Sequence, residues 1–195
     1  DLVYLKENMY PIVTEKINEF LESHRKDLDG IYISGGEPLM HEGVVSFLQY
    51  AKTLNYKIKI HTNGMFYERL KTILAQKLVD HVSLDIKNAP SAYAKTCGVE
   101  DMDLKDIEKS LDLLKQSVVP YDICVTLVDE LHNQETIEEL GEWLQGVDTV
   151  ILQPFEDSET TIDHSLHRPS FEVVLKYKNI FEKYVKHVKI RGDQA

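Results

Sequence analysis

Short apolar runs alternate with amphipathic stretches of about ten to fifteen residues along almost the whole chain, and this alternation constrains the fold more than any other feature. The apolar runs are typical of strands. The stretches between them carry apolar residues at three- and four-residue spacing, which predicts helices. Because parallel strands are joined by crossovers of this kind, the alternation predicts an α/β fold with a mostly parallel sheet and its helices outside.

Six runs are predicted strands: "GIYIS" (30–34), "YKIKIHT" (56–62), "HVSLDIK" (81–87), "YDICVTLV" (121–128), "TVILQPF" (149–155) and "HVKIR" (187–191). The pattern opens on a helix, at about residues 11–28. Crossovers of this length suit either an open doubly wound sheet or an incomplete barrel, and periodicity does not separate the two. In both folds ligands bind at the carboxyl ends of the strands, so the strand ends are where a site is expected.

The composition excludes several classes of protein. The 195 residues are 43% hydrophobic and 28% charged, which is typical of one globular domain covering residues 1–195. The net charge of -11 argues against a sequence-independent grip on nucleic acid. The apolar runs are far shorter than the ~20 residues that span a bilayer, and the N-terminus has no signal-peptide pattern. We therefore expect a cytoplasmic protein that binds neither nucleic acid nor membrane.

The first strand leads into "YISGGEPLMHEG", residues 32–43. The glycines, Gly35 and Gly36, allow a ligand to approach the main chain, and Glu37 could accept hydrogen bonds from an ammonium group. A Gly-Gly pair followed by Glu37 and Pro38 is also typical of a plain turn between a strand and a helix. On this stretch alone, both interpretations stay open.

The next two strands also end in polar residues. The second leads into "HTNG", where Thr62 and Asn63 could bind a ligand, although Asn-Gly is also a common turn dipeptide. In the third strand the side chains alternate, so Asp85 and Lys87 share one face. Because an isolated buried charge costs several kcal/mol or more, these two residues either pair with each other or bind a ligand, and a ligand site is the favoured interpretation. Cys124 faces the same interior and is interpreted as a small apolar filler.

Taken together, "ISGGEP", "HTNG" and "SLDIK" at successive strand ends resemble the radical S-adenosylmethionine superfamily. More narrowly, "LVDHVSLDIKNAPSAYAKTCGVED" and "VILQPF" resemble the activating proteins of anaerobic ribonucleoside-triphosphate reductase, relatives of pyruvate formate-lyase activating enzyme. The resemblance runs from about Asp29 to Gly192. It implies the partial (βα)6 TIM-like barrel of that superfamily.

The resemblance also implies a set of cofactor-binding residues. The expected S-adenosylmethionine site consists of Gly35, Gly36, Glu37, Pro38, Thr62, Asn63, Asp85 and Lys87. In the family, the Gly-Gly-Glu loop binds the amino group of the methionine part, and the Thr-Asn pair lies near the ligand. The Asp and the Lys reach the ribose and the carboxylate.

The chain departs from the family in its cysteines. The family's reaction needs three cysteines spaced CxxxCxxC to hold a [4Fe-4S] cluster, whereas the 195 residues contain only Cys97 and Cys124, neither of which is an expected ligand. We therefore expect a barrel truncated at its N-terminus, lacking its first strand and cluster loop, with no catalytic or metal-binding residue and no activity of its own. In a second departure, His61 stands where relatives often carry an acidic residue.

For the intact protein, the resemblance implies a reaction and its partners. A [4Fe-4S] cluster would cleave S-adenosylmethionine reductively, and the 5'-deoxyadenosyl radical would abstract a hydrogen from a glycine of a glycyl radical enzyme, an anaerobic ribonucleotide reductase. A flavodoxin or ferredoxin would donate the electron. An unpaired edge on the "GIYIS" strand is expected to favour self-association.

Two other classes of function stay open. A Schiff-base lyase or aldolase would use Lys87, which would have to lose its proton although a neighbouring Asp85 favours the ammonium form. The second alternative is a non-catalytic interaction module that keeps the barrel for its surface.

Overall fold

The computed structural model describes residues 14–159, 161 and 163–192. The strands are β1 (Gly30–Ile33), β2 (Lys57–Thr62), β3 (His81–Asp85), β4 (Tyr121–Leu127), β5 (Thr149–Pro154) and β6 (His187–Ile190). The helices are α1 (Thr14–Ser23), α2 (Val44–Thr53), α3 (Tyr67–Ala75), α4 (Tyr93–Thr96), α5 (Lys105–Lys115), α6 (Gln134–Trp143) and α7 (Phe171–Phe181). Two short 3-10 helices span Pro38–Met40 and Pro90–Ala92.

The six predicted strands are confirmed. The largest difference is in β3, which ends at Asp85, so that Lys87 lies just beyond the strand. The predicted opening helix is shorter than its pattern and ends at Ser23, and its predicted residues 11–13 lie outside the described residues. The short α4 was not predicted, because four residues are too few to show a helical period.

The strands lie in the order β1-β2-β3-β4-β5-β6, and each is parallel to the next. Because crossovers between parallel strands are right-handed in nearly all proteins, an order without reversal keeps the connecting helices on one face of the sheet. A doubly wound sheet needs a reversal of strand order. The described sheet is therefore wound like part of a (βα) barrel, and within it β1 and β6 are the two edge strands.

The two faces of the sheet differ in chemistry. The face under the helices is apolar and fully buried, and it includes Ile58, Ile60, Val82, Leu84, Ile123, Val125, Val150 and Leu152. The opposite face, here called the inner face, alternates with it and is mostly polar, with Tyr32, Lys59, His61, His81, Ser83, Asp85, Asp122 and Cys124. Burial of the helix-facing side stabilises the sheet, so the inner face can carry polar side chains. In the described ranges, no helix has the length and hydrophobicity needed to cross a bilayer.

Candidate ligand site at the strand ends

The loop after β1 has a backbone that only glycine adopts readily. Gly35 has a φ of 91° and Gly36 a φ of 51°, both in the left-handed region. A Cβ built on Gly35 would have no atom within 4 Å. Glycine is therefore needed at this position for its backbone conformation, and not because space is short. Among the described residues, no hydrogen-bond donor reaches the carbonyl oxygens of Gly35 and Gly36. The loop therefore has two carbonyl acceptors that no described residue satisfies.

The side chain of Glu37 fastens this loop to the next one. Its carboxylate is buried, with the residue only 4% exposed. Oε1 accepts hydrogen bonds from the backbone N–H of Leu39 at 3.0 Å and from the hydroxyl of Thr62 at 2.7 Å, and Oε2 accepts one from the N–H of Asn63 at 2.7 Å. Charge-assisted hydrogen bonds of this kind are among the stronger ones in proteins. Most of the hydrogen-bond acceptor sites of Glu37 are thus taken by groups of the protein itself.

The turn after β2 is held in place by its own polar groups. The hydroxyl of Thr62 accepts a hydrogen bond from the N–H of Gly64 at 3.2 Å, and Oδ1 of Asn63 accepts one from the N–H of Met65 at 3.0 Å. Gly64 has a φ of 79°, and its carbonyl accepts a hydrogen bond from the hydroxyl of Ser110 at 2.7 Å. Thr62 and Asn63 are therefore fixed both by this turn and by Glu37.

Asp85 and Lys87 meet at the end of β3. The ammonium of Lys87 forms an ion pair with Oδ2 of Asp85, and the two side chains are 40% and 20% exposed. Ile86 between them is fully buried on the helix side, which confirms the alternation predicted from sequence. The pair is partly exposed, so a ligand can reach it. Asp85 and Lys87 can therefore exchange their contact with each other for contacts with a ligand.

These strand ends enclose a cleft of about 250 Å³, here called the strand-end cleft. It is lined by Ser34, Gly35, Gly36, Glu37, His61, Thr62, Asn63, Asp85 and Lys87. Seven of the eight residues predicted from sequence thus line one cleft, and Pro38 is buried beside it. Ser34 and His61 were not predicted as lining residues. For His61, the alternation in "KIKIHT" was the available signal, because it places His61 on the same face as Lys59.

A larger hollow lies next to the strand-end cleft, between α1 and α2. It has a volume of about 740 Å³, includes Ile17, Val44 and Phe47 in its lining, and shares Ser34 and Gly35 with the cleft. Its lining is mostly apolar and, as far as the described residues go, contains no aspartate, glutamate or lysine. We therefore assign the candidate site to the smaller cleft, where acidic, basic and amide groups converge.

Below the cleft, a second polar cluster on the inner face surrounds the buried carboxylate of Asp122. It accepts hydrogen bonds from the hydroxyl of Ser83 at 2.5 Å and the ammonium of Lys59 at 3.1 Å, and Nε2 of His81 lies 2.6 Å from it. Burial acts to raise the pKa of Asp122, but the hydrogen bonds from Ser83, His81 and Lys59 outweigh it and lower the pKa. The carboxylate is satisfied by its neighbours, and the cluster joins β2, β3 and β4.

The two cysteines do not form a cluster site. Cys97 is exposed and Cys124 is buried on the inner face of β4. Burial and the nearby carboxylate of Asp122 raise the pKa of the Cys124 thiol to about 12, which disfavours the thiolate that a metal needs. In the described part of the chain, no group of three or more His, Cys, Asp or Glu side chains is arranged to hold a metal ion. These residues therefore do not fit a [4Fe-4S] cluster.

Sequence comparison with known proteins places this chain in a family. Residues 4–145 match the model of the Radical SAM superfamily. A protein of Methanocaldococcus jannaschii with the provisional name glycyl-radical enzyme activating enzyme is 30% identical over 169 residues, which cover 84% of this chain and 70% of that protein.

Solved structures agree in fold. A domain of pyruvate-formate lyase-activating enzyme from Bacteroides vulgatus is similar with a TM-score of 0.65 at 20% identity, over 84% of this chain and 99% of that one. SuiB of Streptococcus suis bound to S-adenosylmethionine has a TM-score of 0.72 at 13% identity, over 96% of this chain and 46% of that one. At these identities the likeness concerns the fold, which is the partial barrel expected from the sequence.

Proposed function

The chain belongs to the radical SAM superfamily, and on this premise we propose that the strand-end cleft binds S-adenosylmethionine. The observation that carries the proposal is the convergence of seven predicted residues from three strand ends on one cleft. The unsatisfied carbonyl oxygens of Gly35 and Gly36 suit the ammonium group of an amino acid, because an ammonium group only donates hydrogen bonds and a carbonyl oxygen accepts them. Lys87 suits a carboxylate, and Asp85 suits the hydroxyls of a ribose.

In this proposal Glu37 does not bind the ligand directly. Its carboxylate already accepts three hydrogen bonds from Leu39, Thr62 and Asn63, so its contribution is to hold the two loops in register. The site is thus preorganised, which reduces the free energy spent on ordering the loops when the ligand binds.

We further propose that the protein acts as an activating enzyme for a glycyl radical enzyme. The support is the name and the 30% identity of the M. jannaschii relative. The narrower assignments, an anaerobic ribonucleotide reductase as partner and a flavodoxin or ferredoxin as electron donor, rest on the sequence motifs.

The family's cleavage chemistry depends on an iron-sulfur cluster that the described residues do not fit. We therefore propose that the 195 residues supply the S-adenosylmethionine-binding part of the site and do not cleave the ligand themselves. Anaerobic reconstitution with iron and sulfide should give neither a broad charge-transfer absorption in the visible range nor 5'-deoxyadenosine. Stoichiometric uptake of a cluster by this chain would contradict the proposal.

Calorimetric titration with S-adenosylmethionine tests the binding site. Asp85→Asn should weaken binding about tenfold, because a neutral amide is a poorer acceptor for ribose hydroxyls and also loses its hold on Lys87. Asp112→Asn is the matched control, since Asp112 is an exposed aspartate on α5, far from the cleft in sequence. A flat titration of the unmodified chain would favour the non-catalytic interaction module instead.

The Schiff-base alternative makes a separate prediction. Lys87 is held as an ion pair by Asp85, which is a poor arrangement for a neutral, nucleophilic amine. Borohydride treatment with small carbonyl compounds should therefore give no covalent adduct on Lys87 by mass spectrometry. An adduct that disappears in Lys87→Gln would support the lyase.

A further inference from the structure

His61 lines the strand-end cleft, and one of its ring nitrogens has no hydrogen-bond partner among the described residues. Its Nδ1 lies 2.8 Å from the hydroxyl of Tyr32, the edge-strand neighbour on β1. Its Nε2 is shut off from solvent and has no hydrogen-bond partner in the described ranges. A buried polar atom left unpaired is unfavourable, so such atoms usually find a partner in some state of the protein.

A candidate partner on the inner face is Asp85. In the register of β2 and β3, His61 pairs with Ser83, and Asp85 is the next inward-facing residue along β3. From the spacings of a parallel sheet, the two Cα atoms are about 8 Å apart, a distance that an imidazole and a carboxylate can bridge. Asp85 also has the largest charge effect on the His61 ring, followed by Lys87. In the structure, however, the carboxylate of Asp85 is paired with Lys87.

A ligand with an anionic group changes this arrangement. Lys87 is the more exposed member of the ion pair, so it is the member that a ligand carboxylate reaches first. When its ammonium turns toward the ligand, Asp85 loses the cation that it pairs with among the described residues, while its side chain is only 20% exposed. A covered carboxylate without a partner is strongly unfavourable, so a replacement donor is needed.

We propose that His61 is a positioning residue for Asp85: when a ligand draws Lys87 away, Nε2–H of His61 takes the place of the lysine on the Asp85 carboxylate. The exchange keeps Asp85 ionised and correctly aimed at the ligand. In this arrangement the hydroxyl of Tyr32, which lies 2.8 Å from Nδ1, would act as the donor, so that the ring proton is on Nε2. The identity of the ligand rests on the proposed function, but the exchange itself does not.

The surroundings of the ring determine how the exchange is detected. Burial lowers the pKa of His61, and of the charged groups that face it, Asp85 and Asp122 raise the pKa while Lys87 and Arg191 lower it. These groups lie on or beyond β3, β4 and β6, and Tyr32 faces the ring from β1. In the exchange Lys87 moves away and His61 gains a hydrogen bond to Asp85. Both changes raise the pKa of His61.

A ligand-free experiment isolates the exchange. Lys87→Gln removes the competing cation, so Nε2–H should bond Asp85 without any ligand. In NMR spectra of protein with ¹⁵N-labelled histidine, the His61 pKa should rise by about one unit, a tenfold change in proton affinity, and its Nε2–H should become a slowly exchanging, hydrogen-bonded signal. Lys77→Gln is the control and should change neither quantity, because Lys77 is exposed and its ammonium makes no ion pair within the described part of the chain. A pKa rise without a protected Nε2–H would be purely coulombic and would overturn the proposal.

The same signals in the unmodified protein link the exchange to ligand binding. Saturation with S-adenosylhomocysteine, which carries the carboxylate and the ribose, should produce the protected Nε2–H seen in Lys87→Gln. His61→Phe should weaken binding about fivefold, His61→Gln should recover part of the loss, and His61→Phe should have no further effect in an Asp85→Asn background. If the ligand binds and the ring signals stay unchanged, the proposal fails while the binding site stands. If neither S-adenosylmethionine nor S-adenosylhomocysteine binds, the proposed function fails, and Lys87→Gln still decides the exchange.

Discussion

At the scale of single residues, the site depends on side chains that serve the backbone as much as a ligand. Glu37 was expected to accept hydrogen bonds from an ammonium group, and the structure shows its carboxylate accepting them from Leu39, Thr62 and Asn63. The sequence could identify the residue because its motif is recognisable. It could not identify the contact, because two of the donors belong to the end of a different strand.

This arrangement predicts a stability cost for Glu37→Gln. The amide has one acceptor in place of two, so at least one of the three donors is left without a good partner, and we expect a loss of about 1–3 kcal/mol in the free energy of unfolding. The measurement is the urea midpoint, with exposed Glu42→Gln as the matched control that should stay within about 0.5 kcal/mol of the unmodified chain. Equal midpoints for the two variants would show that the three contacts contribute nothing.

The comparison of two separate glycines, Gly64 and Gly43, provides a second prediction at this scale. Gly64 has a positive φ, and a Cβ built on it would lie 2.8 Å from Cδ1 of Leu84, so Gly64→Ala should lower stability by about 2 kcal/mol or more. Gly43→Ala is the control, because Gly43 has a φ of -74° and no atom within 4 Å of a built Cβ. Thermal unfolding of both variants checks the difference. A loss at Gly43 as large as that at Gly64 would argue against backbone conformation as the cause.

At the scale of elements, Asp80 ties three pieces of the barrel together just before β3. Its carboxylate bonds Lys52 of α2, and it accepts hydrogen bonds from the ammonium of Lys57 at 3.0 Å and the N–H of Ile58 on β2 at 2.8 Å. Burial opposes the charge, but these hydrogen bonds outweigh it and lower the pKa of Asp80 to about 2. The junction therefore depends on an ionised carboxylate.

The lowered pKa predicts how this junction responds to acid. Because the folded pKa lies below the unfolded value of about 3.9, the ionised group stabilises the fold above that pH, and the contribution is lost as the pH falls towards 2. Asp80→Asn should cost about 1–2 kcal/mol at pH 7, and the gap to the unmodified chain should close between about pH 4 and pH 2. Urea midpoints across this range test it, with exposed Asp27→Asn as control. A gap that is independent of pH would exclude the charge as its source.

At the scale of the whole molecule, the described sheet has an edge on β1, next to the strand-end cleft. Edge strands present unpaired backbone groups and favour pairing with a further strand. We predict concentration-dependent self-association in sedimentation velocity, accompanied by slower amide exchange in β1 at high protein concentration. A monomer at every concentration, with rapidly exchanging β1 amides, would contradict this prediction.

Much of this architecture follows from local patterns in the chain. The regular order of strand-like and helix-like stretches predicted the parallel strands, and the alternation in "HVSLDIK" predicted that Asp85 and Lys87 share a face, because a period of two is a property of the strand itself. Contacts that depend on register between distant strands were beyond the same reasoning. The cluster around Asp122 is an example, since Lys59, His81 and Ser83 reach it from two other strands. The single-domain assignment for residues 1–195 stays a prediction.

The buried carboxylate of Glu37 also has a mechanical consequence. Because one side chain fastens the loop after β1 to the turn after β2, the two move as a single rim, and a motion that widens the cleft must break charge-assisted hydrogen bonds. Ligand exchange through this rim should therefore be slow relative to that of a site built on independent loops. The rigidity of the two loops around the strand-end cleft, more than the strength of any single contact in the cleft, would then determine the dissociation rate of the ligand.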